Sequence, residues 1–375
     1  MVEALGGAIV KRKFIKIFLA EFIIVAIVFI CLFPKRKTYN PPLQKSLVVN
    51  SDSKLVDIST KSKLYLELEK GLLEGQERID LKTIALFKEP KEIFKILEDI
   101  SNENPEVMYY KAAEYQFGSL NLSYSKSKEE IKKHQYKIRE VRKEFISKYI
   151  SQDMSDYEKV LAVHDYIINN SKYDDKLFTT GIVPPESYSS YGILGLGRGV
   201  CEGYAKSMKY LLDGIGFESM IVIGESKGES HAWNLVKIEN EYYHVDTTWD
   251  DPVTNDGSNV LRYNFLNLND EEISKTHNWN KGNYPSAKGE KFNYFNYNNL
   301  ILNGKDELKN EIKNALLKRK PNLLVKIKNF NNEEMILSEL IEDIAYKNYK
   351  SIKLKSYSYS IDEEYGIVSF EFYYR

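Results

Sequence analysis

The sequence has only two cysteines in 375 residues, Cys31 and Cys201. Cys31 lies within an apolar run, so the rest of the chain holds one thiol and no intrachain disulfide can staple it. Metal sites built on paired cysteines are excluded for the same reason. No H-E-x-x-H string occurs either, so neither a metal nor another cofactor is expected. Charge of one sign is also lacking. The 53 Lys and Arg against 54 Asp and Glu leave a net −1, which offers no basic surface for nucleic acid.

What is present describes an ordinary globular protein, 43% hydrophobic and 29% charged. A chain of 375 residues exceeds the ~100–150 residues of one typical domain, so two or three packed units are expected. Its 28 Tyr, beside many Lys, Asn and Ile, suit a sugar-stacking surface or AT-rich codon usage, and we adopt the codon reading.

Residues 17–33 form the apolar run, broken only by Glu21 and flanked by Lys11, Arg12, Lys13 and Lys16 before and Lys35, Arg36 and Lys37 after. Its length meets the lower end of the ~17–25 residues of a membrane span. No small residues stand at the −3 and −1 positions of a signal-peptidase site after it, and Ile30 precedes Cys31 where a lipoprotein signal needs a small residue. We therefore expect residues 1–37 to be a cytoplasmic tail and an uncleaved transmembrane helix. Basic residues on both flanks give little orientation signal. A single N-terminal anchor ahead of a large body usually places that body outside the cytoplasmic membrane, and that is the expectation here. Residues 38–60, with Pro41 and Pro42, read as a tether.

Three segments follow: an α+β unit over 61–150, a middle region over 151–290 and a second α+β unit over 291–375. In the first, periodicity gives helices at 64–73, 90–100 and 128–149 and strands at 107–115 and 120–124. In the last it gives helices at 307–318 and 333–345 and strands at 323–327, 351–357 and 366–374. Both place a helix before a late pair of aromatic-rich strands, which fits either a diverged internal repeat or two unrelated small units.

The chemistry concentrates in the middle. Ser155 or Asp156 caps a helix reaching Asn170, a loop rich in Pro, Ser, Tyr and Gly spans 184–199, and a helix starts at Cys201 and ends near Gly214. Strands follow at 217–224, 231–238 and 242–248, the last two joined at Glu239 and Asn240 with hairpin spacing. A helix N-terminus, with unpaired N–H groups, favours a thiolate at Cys201 and provides oxyanion donors. Across the hairpin, His231 and Asp246 fall opposite or diagonal on one face, within reach of a hydrogen bond. A nucleophile, an acid-base group and a third residue that orients it make a thiol catalytic set.

The strings G-V-C-E-G-Y-A (199–205), H-A-W-N (231–234) and V-D-T-T-W-D-D-P (245–252), with H-D-Y-I-I-N-N-S-K-Y-D (164–174) upstream, resemble the bacterial transglutaminase-like superfamily over roughly 155–265. The resemblance implies a papain-like α+β core, with acyl transfer from a glutamine carboxamide or hydrolysis of an amide in a protein or peptide. It leaves the regions before 150 and after 290 uncovered. The expected fold class is therefore α+β: a transglutaminase-like core, small flanking units and an N-terminal membrane helix.

Tyr204, Trp233 and Trp249 are candidates for the site wall, and Tyr188 and Tyr191 for a second oxyanion donor. His244 lies two residues from Asp246 and competes on paper for the base role, although a wall or surface position suits it better. His164 reads as packed or capping, and His134 and His277 carry no pattern. Asp250, Asp251, Asn255, Asp256 and Asn259 invite calcium, but their spacing is not that of an EF-hand and a polar turn needs no ion. The leading expectation is an anchored thiol enzyme at the cell surface, with a protein or peptide substrate that fits a cell-wall setting. A catalytically silent binding or assembly protein is the alternative, and the flanking units are candidates for ligand presentation.

Overall fold

Ser127 and Ser155 each start a helix by the same device. The serine hydroxyl accepts the N–H of a glutamate three residues on, and that glutamate's carboxylate accepts the serine N–H. These boxes open α3 (Lys128–Tyr149) and α4 (Asp156–Asn170). Before them come α1 (Lys63–Leu73), capped by Ser62, β1 (Arg78–Asp80), α2 (Pro90–Glu103), with proline in its first turn, and the hairpin β2 (Tyr110–Gln116) and β3 (Ser119–Tyr124). The computed structural model describes residues 62–83, 89–175, 180–253, 260–331 and 337–375. The expected anchor and tether lie outside these, as do Asn255, Asp256 and Asn259. No helix among the described residues is long and apolar enough to cross a membrane.

The described residues up to Asn293 form one compact unit, and Tyr294–Arg375 form a second. The first holds the α+β segment with its own apolar core, including Leu68, Leu72, Ile93, Leu97 and Leu120. That segment is tied to the middle of the chain. Ser190 donates to the Pro105 carbonyl at 3.0 Å, Tyr210 to Glu106 at 3.3 Å, and Arg142 of α3 covers the Tyr210 ring at 4.1 Å.

In the middle, β4 (Lys172–Tyr173) pairs in parallel with β5 (Arg198–Gly199), and between them lie a 3₁₀ turn (Pro185–Tyr188) and α5 (Ser190–Leu196). The expected loop is thus partly helical. Ser189 caps α5 through the Gly192 N–H, and Gly197 ends it at φ 68°. Two glycines within seven residues lower the apparent helix propensity of this stretch. Next come α6 (Cys201–Gly214) and a five-stranded antiparallel sheet in the order β10-β6-β7-β8-β9. Its strands are β6 (Ser219–Ser226), β7 (Glu229–Ile238), β8 (Glu241–Val245), β9 (Leu266–Leu268) and β10 (His277–Trp279), with a short α7 (Asp270–Ile273) before β10. The β8 strand stops at Val245 instead of running to 248. The Asp246 carboxylate turns back to accept the Thr248 and Trp249 N–H groups at 2.9 and 3.2 Å, which ends the ladder.

The second unit contains α8 (Tyr294–Tyr297), β11 (Ile301–Leu302), α9 (Lys305–Leu317), β12 (Asn322–Ile327), α10 (Leu337–Lys347), α11 (Tyr349–Ile352) and the hairpin β13 (Leu354–Asp362) and β14 (Ile367–Tyr374). Its sheet runs β11-β12-β14-β13, and α9 and α10 bury Leu308, Ile312, Leu340 and Ile341 against it.

Topology favours the internal repeat. Both flanking segments contain the series helix, strand, helix, hairpin, with the last strand antiparallel between the other two, β1-β3-β2 and β12-β14-β13; the second segment adds α11 before the hairpin and the parallel strand β11 at the sheet edge. The match extends to a single bond. The Leu81 N–H meets the carbonyl of Gly118 and the Ile327 N–H that of Gly366, each at 2.8 Å. Both glycines occupy the hairpin turn at positive φ, 76° and 65°, which side chains avoid.

Candidate active site

Cys201 is the first residue of α6, and Val200 before it supplies no side-chain cap. The first bond into this helix runs from the Tyr204 N–H to the Val200 carbonyl at 3.1 Å, so the N–H groups of 201–203 point out of the helix end beside the sulfur. That arrangement stabilises a thiolate or a developing oxyanion. Gly199 and Gly203 explain themselves by space. A Cβ on either would come within 2.9 and 2.5 Å of the Ser187 carbonyl oxygen, so both glycines let the 3₁₀ turn close on the start of the helix. Asp174 holds that turn by accepting the Ser187 hydroxyl at 2.6 Å.

Strand β7 carries His231 and is tied to α6 by Asn234, whose amide donates to the Ala205 carbonyl at 2.9 Å. Across the β7–β8 hairpin Asn234 pairs with Val245, which puts Asp246 diagonal to His231 on the same face. The two side chains meet: His231 Nε2 donates to Asp246 Oδ2 at 2.6 Å. Cys201 lies near enough to the ring to help raise the His231 pKa. With Nε2 given to the aspartate, Nδ1 is the nitrogen left for the sulfur.

Electrostatics follow from these bonds. Burial works against an imidazolium at His231, but the charge and hydrogen bond of Asp246, then those of Cys201, push its pKa up to about 10. Burial likewise works against an ionised Asp246. The His231 charge and the bonds from His231 and His277 outweigh it and hold the carboxyl well below the usual carboxylate range.

Each aspartate of the V-D-T-T-W-D-D-P string has its own partner. Asp250 accepts His164 Nε2 at 3.1 Å and the Phe265 N–H, and Asp251 accepts the Tyr204 hydroxyl at 2.5 Å. The inward bonds of Asp250 and Asp251 explain these residues without an ion. His164, fully buried, also bonds Asp165 at 2.9 Å; burial opposes its charge, yet the two carboxylates push its pKa up to about 9.

Of the wall candidates, Trp233 lies flat near His231 with ring centroids 6.0 Å apart, and Trp249 approaches it edge-on at 6.3 Å. Lys227 covers the Trp249 ring at 3.9 Å. Tyr204 lies one helical turn behind the thiol, with its hydroxyl spent on Asp251. Tyr188 is close enough to feel the Cys201 charge, after burial and Glu202 have raised its pKa. Tyr191 goes elsewhere: its ring stacks on His134 of α3 at 3.6 Å. Tyr173, paired with Gly199 in the β4–β5 ladder, also feels Cys201 and was not singled out from the sequence. His244 is committed, accepting the Trp233 indole N–H at 3.0 Å and donating to Asp270 at 2.9 Å. The residue that sequence reasoning missed outright is His277. Its Nε2 lies 3.0 Å from the same Asp246 oxygen that His231 uses.

The ligand atoms of His231, Asp246 and His277 lie within 4.8 Å of one another, a set that could in principle hold a cation. Their 2.6 and 3.0 Å contacts are hydrogen-bond spacings. Ligands of a tetrahedral ion at ~2.0–2.1 Å would stand roughly 3.3 Å apart, so the set is built for protons.

Residues 143–247 match the family model of the transglutaminase-like superfamily. The chain contains a transglutaminase-like domain. Kyphoscoliosis peptidase from Homo sapiens and its counterpart from Mus musculus are each 27% identical to the chain over 118 residues, covering 28% of this chain and 18% of theirs. The chain thus spans less than a fifth of the length of these relatives. A solved TGase structure is similar at 15% identity and a TM-score of 0.28, covering 35% of this chain and 40% of that one. The transglutaminase-like domain takes in Cys201 and His231 and ends one residue after Asp246, so His277 lies beyond the matched region.

Proposed function

We propose that the protein is a thiol enzyme acting on protein or peptide amides through a thioester. The observation that carries this reading is the 2.6 Å bond between His231 and Asp246 on an imidazole whose pKa the neighbouring Cys201, at a helix N-terminus, helps to raise. The Cys201 sulfur attacks the amide carbonyl carbon, and the tetrahedral oxyanion is met by N–H groups at the start of α6. The C–N bond breaks as His231 gives its proton to the leaving nitrogen, leaving the thioester. Water or an amine then attacks, His231 takes the proton of that nucleophile, and the thiolate departs. Water yields hydrolysis, as in a peptidase; an amine yields transfer, as in a transglutaminase. Asp246 keeps the imidazole in the useful tautomer and offsets the imidazolium charge. The apolar run at 17–33 supports a membrane-held enzyme with its body at the cell surface, and the substrate there is a protein or peptide, including one of the wall.

The test compares wild type with Cys201→Ala for alkylation by iodoacetamide across pH, for release of peptide from an amide substrate, and for amine incorporation into a glutamine-rich protein. A thiol reactive well below pH ~8.5 together with either activity supports the enzyme. A thiol that titrates like a free cysteine, with neither activity, would leave a silent binding protein of the same fold.

A further inference from the structure

We propose that His277 is a positioning residue of this site: a second histidine donor that holds the Asp246 carboxylate and moderates its pull on His231. The inference deepens the catalytic reading above and rests on it.

His277 is 3% exposed and fixed by the pairing of β10 with β6, where it stands opposite Ser226. Its ring packs edge-on against Trp233 at 4.8 Å and Phe265 at 5.7 Å, and lies 5.4 Å from the His231 ring. Nε2 meets Asp246 Oδ2 at 3.0 Å and Nδ1 meets the Thr276 hydroxyl at 2.8 Å. An ionised carboxylate only accepts, so Nε2 carries a proton toward it, while the Thr276 hydroxyl, able to donate or accept, partners Nδ1. With both nitrogens partnered, Thr276 helps hold the ring facing Asp246. The carboxylate is fully engaged: Oδ2 takes both histidines, and Oδ1 takes the Thr248 and Trp249 N–H groups. A carboxylate so held cannot pivot. Each donor on Oδ2 also offsets part of the charge that would otherwise act on His231. The titratable groups facing this pair are Cys201 toward His231, Asp250, which feels Asp246, and His244, which feels His277.

Loss of the His277 donor leaves more carboxylate charge directed at His231. The imidazolium then persists to higher pH, and the pH window in which it faces the thiolate widens at its alkaline end. The full chain is prepared as wild type, His277→Phe, His277→Gln and Thr276→Val. Alkylation of Cys201 by iodoacetamide is followed across pH, with the Cys201 peptide resolved from that of Cys31 by mass spectrometry. In His277→Phe the upper step of the profile is expected to rise by about one pH unit. His277→Gln, which retains an N–H donor, returns it toward wild type. Thr276→Val, at a half-buried position, shifts it the same way by less, and carries the test if His277→Phe does not fold. An upper step that stays in place in Thr276→Val and in every folded His277 variant overturns the proposal. A wild-type thiol with a single step near pH ~8.5 instead sinks the underlying catalytic reading.

Discussion

His231 and His277 share one oxygen. Their Nε2 atoms stand 2.6 and 3.0 Å from Asp246 Oδ2, although the two histidines come from strands separated by β6 in the sheet order. The carboxylate is therefore the point on which the site turns, and the first prediction concerns it.

Asp246→Asn keeps the shape of the side chain but offers an amide where His231 Nε2 now donates. The imidazole is then held in the wrong tautomer, and turnover should fall ~10⁴-fold while substrate affinity changes little. Steady-state kinetics on the amide substrate measures this. A loss below tenfold would mean that Asp246 does not orient the base.

Stability should decline on the alkaline side. His231 and His164 have folded pKa values raised to about 10 and about 9, so their contributions are fully present below the unfolded histidine pKa and are lost as pH rises through those values. Asp251, raised to about 6 by burial, has already given up its share by then. Asp246 acts in the opposite sense: its depressed pKa adds stability above the unfolded carboxyl value that is lost only in acid. Urea melts between neutrality and pH ~10 should show falling stability. A flat profile would mean that the two histidines are not charged in the fold.

Asp250→Ala leaves His164 buried with one of its two carboxylates gone. Breaking a buried ion pair from one side costs ~3–5 kcal/mol, so a marked drop in melting temperature is expected. The loss should shrink in Asp250→Ala/His164→Phe, because no charge is then stranded. A double variant as unstable as the sum of the two single variants would refute the pairing.

Gly203→Ala pushes a methyl group to within 2.5 Å of the Ser187 carbonyl, which is backbone and yields little. Overpacking of this kind costs ~1–3 kcal/mol, and here it displaces the turn that borders the thiol. Slower alkylation of Cys201 should accompany the lost stability. Gly282→Ala is the control, since its added Cβ meets nothing nearer than 3.4 Å.

Much of this was legible in the sequence because it is local. The boundaries of α3, α4 and α6 follow from serine caps and from glycines beside Cys201, and the His231–Asp246 diagonal follows from one tight hairpin. His277 was not legible. It reaches Asp246 through the pairing of β10 with β6, a partner fifty residues earlier in places, and a three-residue strand leaves no periodic trace. Helix α5 was hidden by its glycines, and nothing local reveals that the Tyr191 ring stacks on His134. The roles of Asp250 and Asp251 depend on His164 and Tyr204, which are equally remote in sequence.

The shared topology of the flanking segments has a consequence for how the chain can be divided. One copy is stitched to the middle region through Pro105 and Glu106, whereas the other begins after Asn293 with a sheet and core entirely its own. Among the described residues, no sheet takes strands from both sides of that boundary. If a duplication produced the pair, the first copy has merged its packing with the transglutaminase-like domain, while the second keeps a sheet and an apolar cluster of its own.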